Sequence, residues 1–509
     1  MNTSPSGRIW VLGLFVALGF LSWGWLGNLT APWTDKIDAN GACWSQSAHN
    51  TLRAGLLATA GVPSAFYFGT LPIPHDRYYT HHPPLLSVLL TAMFAVLGEK
   101  EWVARLLPIT FSFISVVLLW LLVKSCSNGR AATFCVLLFA AMPMELRYGQ
   151  MVNFEPVNLV WMLSGLLCLR FWEQTHQRRW WLMMLGSLFL SLWTDWLGYL
   201  FVLVLCVRLF LSRTRPKRHL AVLLLGLSAA SFGLFLCQTH SVRPDAFHDL
   251  LEAMNRRMAR SGNHVQWVDW SRRMIATLTS HIQPVSWILA LCGILAIWRS
   301  KRDEGRRWLG WGSFYFFAMS VLYVVGFQNQ SAIHAYASFY FIVSVAMTAG
   351  VGLDSFNHWC GGMSAVIKTA GLSGSFVILV LLMWSGERRE FELRSQFHIL
   401  ARAQIESPQL IPELGRVIRN AFSEDTAVIC NFLPDYGPQL HYYAQRELLN
   451  GVFTPNDWKK VVADPENAPV GGIIWMGEAR ASDVLSTLPA GPNEEIAIRG
   501  IHFVIWRPE

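Results

Sequence analysis

Apolar runs separated by short polar breaks fill the first three quarters of the chain. They lie near Ile9–Gly27, Val103–Val123, Ala131–Met144, Pro156–Trp172, Trp180–Trp193, Leu197–Leu211, Leu220–Cys237, Val285–Trp298, Trp308–Phe327, Ala335–Leu353 and Met363–Trp384. Each fits a membrane-crossing helix of about 20 residues once its polar flanks are included, so the pattern predicts about eleven transmembrane helices. The first run leads into Gly27-Asn-Leu-Thr without a small-residue cleavage pattern and is expected to stay as the first span. A further run, Pro83–Gly98, is short for a crossing and opens on two prolines. Beyond Gly386 the pattern changes to that of a small α/β domain. It has a helical lead-in at Glu387–Ile405, strand candidates at Ala427–Phe432, Gly472–Trp475 and His502–Trp506, and helical stretches at Gln439–Leu449 and Ala481–Leu488.

Composition narrows the class. With 53% hydrophobic residues, 24 Trp, 31 Phe and 15% charged residues, the chain is a polytopic membrane protein rather than a soluble globule. Its formal charge of +8 is the excess expected on one face of such a protein and gives no reason to invoke nucleic acid. Charge placement also orients the chain. If Pro83–Gly98 does not cross, the loops around Lys124–Arg130, Arg170–Arg179, Arg208–Arg218 and Arg299–Arg307, with fifteen Lys and Arg among them, all lie in the cytoplasm. If it crosses, all four turn outward. Pro83–Gly98 is therefore expected to be a juxtamembrane or re-entrant helix, with the N-terminus inside. The expected organisation is a membrane domain over residues 1–385, including one external loop at 28–102, and an α/β domain outside the membrane at 386–509.

On that topology the acidic and imidazole side chains gather on the outer face. The loop Asn28–Trp102 carries Thr34-Asp-Lys-Ile-Asp-Ala-Asn-Gly-Ala42 and Tyr78-Tyr-Thr-His-His-Pro-Pro-Leu85. A second outer hairpin holds Glu145, Arg147 and Glu155, the last just before Pro156, where a helix N-terminus favours an anion. Ionisable groups clustered at one face of a helix bundle mark a site there. Solvated loop ends, a capping role for Glu155 and turn chemistry for Asp195 explain the same residues one by one. The outer segment His240–His281 interleaves Arg256, Arg257, Arg260, Arg272 and Arg273 with apolar residues, as helices lying on a bilayer surface do.

Taken in order, Asp-x-Asn-Gly-Ala, Tyr-Tyr-Thr-His-His-Pro-Pro-Leu-Leu, Glu-Trp-Val-Ala-Arg-Leu-Leu-Pro and Arg-Tyr-Gly-Gln-Met-Val-Asn-Phe-Glu-Pro give a chain that resembles the GT-C membrane glycosyltransferases with polyprenyl-phosphate sugar donors. The resemblance is to the family-39-like transferases, which include protein O-mannosyltransferases and lipid A aminoarabinose transferases. It covers roughly Trp10 to Leu353. It implies an inverting sugar transfer to a hydroxyl acceptor (lipid, glycan or protein) at the outer, periplasmic face of a bacterial inner membrane. It also implies an acidic residue of the first outer loop as general base. Asp38 matches that position and Asp35 competes for it, because Asp-Lys-Ile-Asp stands where many relatives carry adjacent acids. His82 matches the residue before Pro-Pro near the donor phosphate, and Glu155 matches a second acidic position. His81 and Arg147 are further expected at the phosphate, and Asn40, Tyr79 and His334 along the substrate. The residue types agree, since transfer from a sugar phosphoester needs a carboxylate for the acceptor's proton and a cationic group for the leaving phosphate.

A secondary transporter or flippase is the competing class. It would be expected to show internal repeats and ionisable residues near the midplane, whereas this chain has no repeat and gathers its acids at one face. Two carboxylates and two histidines are a donor set for a divalent metal, but no ligand spacing specifies one. The nine Cys form no Cys-x-x-Cys pair, and only Cys43 and Cys430 lie in polar, external regions.

Overall fold

The computed structural model describes residues 5–35, 37–212, 214–260, 265–300, 303–402, 409–424, 426–431, 437–449, 469–476 and 493–507, with positions 452, 456 and 460. Each of the eleven apolar runs meets a helix: Pro5–Leu26, Glu101–Cys126, Gly129–Ala141, Phe154–Thr175, Arg178–Thr194, Trp196–Leu211, Arg215–Val242, Pro284–Arg299, Glu304–Gly326, Phe341–Gly361 and Ala365–Arg402. Among the described residues, six helices are long and apolar enough to cross a membrane unaided, at Ile9–Leu26, Glu101–Cys126, Phe154–Thr175, Arg215–Val242, Glu304–Gly326 and Ala365–Arg394. The helix Trp267–His281 meets Pro284–Arg299 at 90°.

Two boundaries differ from the sequence pattern. The run Ala335–Leu353 begins as a 3-10 turn at Ala335–Ser338, and its helix starts at Phe341. The lead-in from Glu387 is no separate element, because the helix Ala365–Arg402 runs straight through it.

Close backbone approach holds the bundle together. A Cβ at Gly352 would lie 2.4 Å from the Leu289 carbonyl oxygen, and one at Gly350 would lie 2.7 Å from the Cys135 nitrogen. The helix Phe341–Gly361 thus uses glycines two apart to touch both Pro284–Arg299 and Gly129–Ala141, the small-residue packing that membrane helices favour. At its far end the buried Asp354 carboxylate accepts from Arg130 Nε at 2.6 Å, Asn128 Nδ2 at 3.0 Å and Arg306 Nη2 at 3.3 Å.

The loop over residues 28–102 is helical, as expected. It contains Asp38–Ala54 and Leu85–Leu97. The second has 13 residues, about 20 Å at 1.5 Å per residue, and packs against Asp38–Ala54 and Glu101–Cys126. The segment after the seventh apolar run, His240–His281, forms the helices Ala246–Arg257 and Trp267–His281.

The C-terminal domain has five strands among the described residues: β1 (Ala427–Cys430), β2 (Glu447–Leu449), β3 (Val470–Met476), β4 (Asn493–Ile498) and β5 (Ile501–Trp506). Their order is β2-β1-β3-β5-β4, with β2, β1 and β3 parallel and β5 antiparallel to both its neighbours. The three strand expectations fall on β1, β3 and β5, apart from Phe432, which like the expected helix Ala481–Leu488 lies outside the described residues. The helix expected over Gln439–Leu449 divides. Gly437–Ala444 is helical, Gln445 takes a left-handed conformation at φ 47, and β2 follows; a left-handed residue is a usual way to end a helix. Cys43 and Cys430 are both free thiols.

Candidate functional site

The first outer loop packs beneath the C-terminal domain. Tyr443 of the helix Gly437–Ala444 accepts from the Trp33 backbone N–H at 2.8 Å and donates to Glu101 Oε1 at 2.9 Å. Gln46 Nε2 donates to the Pro438 carbonyl at 2.7 Å, and Gln439 Nε2 to the Asp35 carbonyl at 3.2 Å. An ion pair from Arg77 to the buried Glu447 of β2, at 3.0 Å, closes the same contact.

Where this loop meets the helix ends of the bundle, a cavity of about 520 Å³ opens. Asn40, Tyr79, His81, His82, Glu155 and His334, all singled out from the sequence, line it. So do Asp195, Asp249, Arg243, Arg257, Tyr323 and Tyr336. The His82 ring is fixed on three sides. It stacks on Phe154 at 4.4 Å and on Tyr79 at 6.0 Å, and its Nδ1 lies 3.1 Å from Asp195 Oδ1. The same carboxylate oxygen caps the helix Trp196–Leu211 by accepting from the Trp196 N–H at 2.7 Å. Burial pushes the His82 imidazole down to about 4, opposed by its bond to Asp195. It is therefore neutral near pH 7.

His81 turns the other way. Its Nε2 lies 2.9 Å from Asp249 Oδ2, which also accepts from Thr80 Oγ1 at 2.7 Å and pairs with Arg243 at 2.9 Å. Burial lowers the His81 pKa, with Asp249 opposing. For Asp249 burial acts upward, but the bonds from Thr80, His81 and Arg243 outweigh it and hold the carboxyl below its usual range. This knot ties the helix Ala246–Arg257 to the first outer loop and brings Arg257 to the cavity wall. Arg257 Nη2 donates to Tyr79 Oη at 3.2 Å, and no described carboxylate forms an ion pair with it.

Glu155 sits in the first turn of Phe154–Thr175, two residues after the N-cap Asn153, and is 6% exposed. Its Oε2 has no hydrogen-bond partner.

Asp35 and Asp38 are placed apart from this cavity. They line a smaller recess of about 90 Å³ with Arg105, Gln150 and Arg394. Each has its own cation: Asp38 pairs with Arg105 at 3.1 Å and Asp35 with Arg147 at 3.3 Å. Asp38 Oδ2 also accepts from the backbone N–H groups of Thr34 and Asp35, at 3.0 and 2.9 Å. Burial raises the Asp38 pKa against the pull of Arg105 and these amides. Arg105 is itself fixed over the Trp33 ring at 4.1 Å and donates to the Leu29 and Ala31 carbonyls. Arg147 is 1% exposed and lies behind Asp35, lining neither recess. Among the described residues no three His, Cys, Asp or Glu side chains are grouped to hold a metal ion.

Three lining residues carried no strong sequence signal. Asp195 read as a turn residue, Arg257 as one of five arginines on a surface segment, and Asp249 not at all. The signal that was present is the spacing of Asp249 and Arg257, eight residues apart and hence on one face of a helix.

Residues 81–241 match the family model described as dolichyl-phosphate-mannose-protein mannosyltransferase. No curated protein matches the chain. Solved structures share its fold at low identity. ArnT from Cupriavidus metallidurans bound to undecaprenyl phosphate is 14% identical, with a TM-score of 0.62 over 99% of this chain and 98% of that one. ArnT in the apo state gives 13% and 0.64 over the same shares. The Archaeoglobus fulgidus oligosaccharyltransferase AglB, in complex with an inhibitory peptide and a dolichol-phosphate, is 12% identical, with a TM-score of 0.59 over 92% of this chain and 70% of that one. The matched segment carries His81, His82, Glu155 and Asp195, and the fold shared with ArnT extends over nearly the whole chain.

Proposed function

We propose that the protein transfers a sugar from a polyprenyl-phosphate donor to a hydroxyl acceptor, in the cavity between the first outer loop and the bundle. One observation carries this reading: a single cavity is lined by a carboxylate with an unpartnered oxygen, Glu155, and by a guanidinium without a carboxylate partner, Arg257. Those are the two groups the reaction needs, one for the acceptor's proton and one for the leaving phosphate. The structures of ArnT with undecaprenyl phosphate and AglB with dolichol-phosphate support the lipid-phosphate class of donor.

In this reading Arg257 and His82 meet the phosphate, while Glu155 takes the proton of the attacking hydroxyl. A single displacement inverts the anomeric centre, as in inverting glycosidases. Asp38, the base expected from the resemblance, is tied to Arg105 and two backbone amides in the neighbouring recess, which suits a residue that shapes the loop. The basic loops at Lys124–Arg130 and Arg208–Arg218 favour an outer, periplasmic position for the cavity. Bacterial inner membrane is the location proposed with it, the eleven helices being spans.

The paired variants Glu155→Gln and Asp38→Asn test the assignment. Glu155→Gln is expected to lower turnover roughly 10²–10⁴-fold, the scale of lost general-base catalysis, with donor binding retained. Should Asp38→Asn produce that loss and Glu155→Gln leave turnover near wild type, the base belongs in the smaller recess.

A further inference from the structure

We propose that Asp195 fixes His82 in the form that carries its hydrogen on Nδ1, so that donor phosphate is gripped by Nε2 only after that nitrogen has taken a proton from solvent. The inference rests on the donor-phosphate reading above and adds a proton to it.

The geometry leaves one tautomer. Nδ1 is 3.1 Å from an Asp195 oxygen that also accepts from the Trp196 N–H. A bare Nδ1 there would set two acceptors against each other, so the hydrogen sits on Nδ1. Stacking against Phe154 and Tyr79 holds the orientation of the ring. His82 Nε2 forms no hydrogen bond with a described residue, and the side chain lines the cavity. In the neutral ring, Nε2 offers a lone pair and repels a phosphate oxygen. In the imidazolium it donates a charge-assisted bond.

The surrounding charges set when that proton arrives. Asp195 favours it from the start of Trp196–Leu211, and Glu155 of the neighbouring helix Phe154–Thr175 lines the same cavity. Arg257 and His81 oppose it. Asp249 is engaged by His81, Thr80 and Arg243, and the hydroxyls of Tyr79 and Tyr323 are neutral near pH 7. An arriving phosphate offsets Arg257 and brings its own negative charge, which favours the imidazolium. Binding thus takes one proton from water onto Nε2, no bond between heavy atoms changes, and the proton returns to solvent when the phosphate departs. Asp195 is a positioning residue in this scheme, holding the ring and stabilising its charged form.

Isothermal calorimetry of the purified full-length chain with undecaprenyl phosphate as probe, in buffers of different ionisation enthalpy, counts the protons. The probe's own second ionisation, near pH 6, is common to all variants and cancels in the comparison. Near pH 7.5 the wild type is expected to take up about one proton more than His82→Gln, whose amide donates without titrating. Asp195→Asn keeps the helix cap and the contact with Nδ1 but removes the charge. Its binding is expected to weaken about tenfold for each unit by which the His82 pKa falls, and its proton uptake near pH 7.5 is expected to drop below the wild type's and to recover near pH 5.5. A merely structural Asp195 would lose affinity with its proton uptake unchanged. Equal uptake by wild type and His82→Gln, or unchanged uptake in Asp195→Asn, overturns the proposal while leaving the transferase reading in place. Absence of saturable binding to the wild type counts against the transferase reading itself and removes this proposal with it.

Discussion

Tyr443→Phe removes one oxygen from the seam between the C-terminal domain and the first outer loop. That oxygen accepts from the Trp33 N–H at 2.8 Å and donates to Glu101 at 2.9 Å. Trp33 is 1% exposed, so its amide loses its partner without gaining water, at a cost of about 1–3 kcal/mol for a buried donor left unsatisfied. The bond to the Glu101 carboxylate contributes about 1 kcal/mol more once its partial exposure is allowed for. A total of about 2–4 kcal/mol corresponds to a roughly 30- to 1,000-fold rise in local opening, at 1.4 kcal/mol per factor of ten. The phenyl ring stays, so its packing against Tyr442 is kept. Hydrogen exchange followed by mass spectrometry on peptides spanning residues 33–38 reads the effect directly. Faster exchange confined to this segment and to Gly437–Ala444 is expected. Exchange within about threefold of wild type, well below the change worked out from the two bonds, would refute the seam as the element holding the loop in place.

The other expectations concern stability and orientation. Asp354→Ala leaves Arg130 and Arg306 facing a site that is 1% exposed; a loss of about 2–4 kcal/mol follows, at the lower end for a broken buried pair because both arginines retain some water, and thermal unfolding in detergent measures it. His82 and His441 are both held down to about 4 by burial, against about 6.5 when unfolded. Their contribution to stability is complete above pH 6.5 and is lost as pH falls toward 4, because the unfolded chain then binds protons the folded one refuses. A melting temperature that falls over that window, less steeply in His441→Gln, is expected; a flat profile would contradict it. Reporters fused after Asn128 and Arg215 are expected in the cytoplasm and one after Gly386 outside, by the placement of basic loops, and an external signal at Arg215 would reverse the orientation.

The apolar runs led to the right helices because an apolar stretch declares itself whatever it packs against, even where, as at Gly129–Ala141 and Trp196–Leu211, it is short for a crossing. Their ends were less legible. Glu101–Cys126 extends beyond its apolar stretch at both ends, and the start of Phe341–Gly361 is set by a 3-10 turn in which His334 stacks on Tyr336. The cavity was half legible. Tyr79, His81 and His82 stand together in the sequence and also line it together. Asp195, Arg257 and Tyr336 reach it only because Asp195 pairs with His82, the Asp249 knot fastens Ala246–Arg257, and an aromatic cluster folds the outer end of the bundle. No local pattern encodes those contacts. The competition between Asp35 and Asp38 could not be resolved along the chain, because what distinguishes them is the cation each receives, Arg147 for one and Arg105 for the other.

The transferase reading is tested most directly by a mass balance on the lipid. Purified protein is incubated with lipid-linked sugars extracted from native membranes and with acceptor lipids, glycans or proteins, and free polyprenyl phosphate and newly glycosylated acceptor are quantified together. The account predicts that the two appear in equal amounts in the wild type and that both fall steeply in Glu155→Gln and in Arg257→Ala. Lipid-linked sugar that remains intact while it moves across the bilayer of a reconstituted vesicle would contradict it, and would make the protein a transporter.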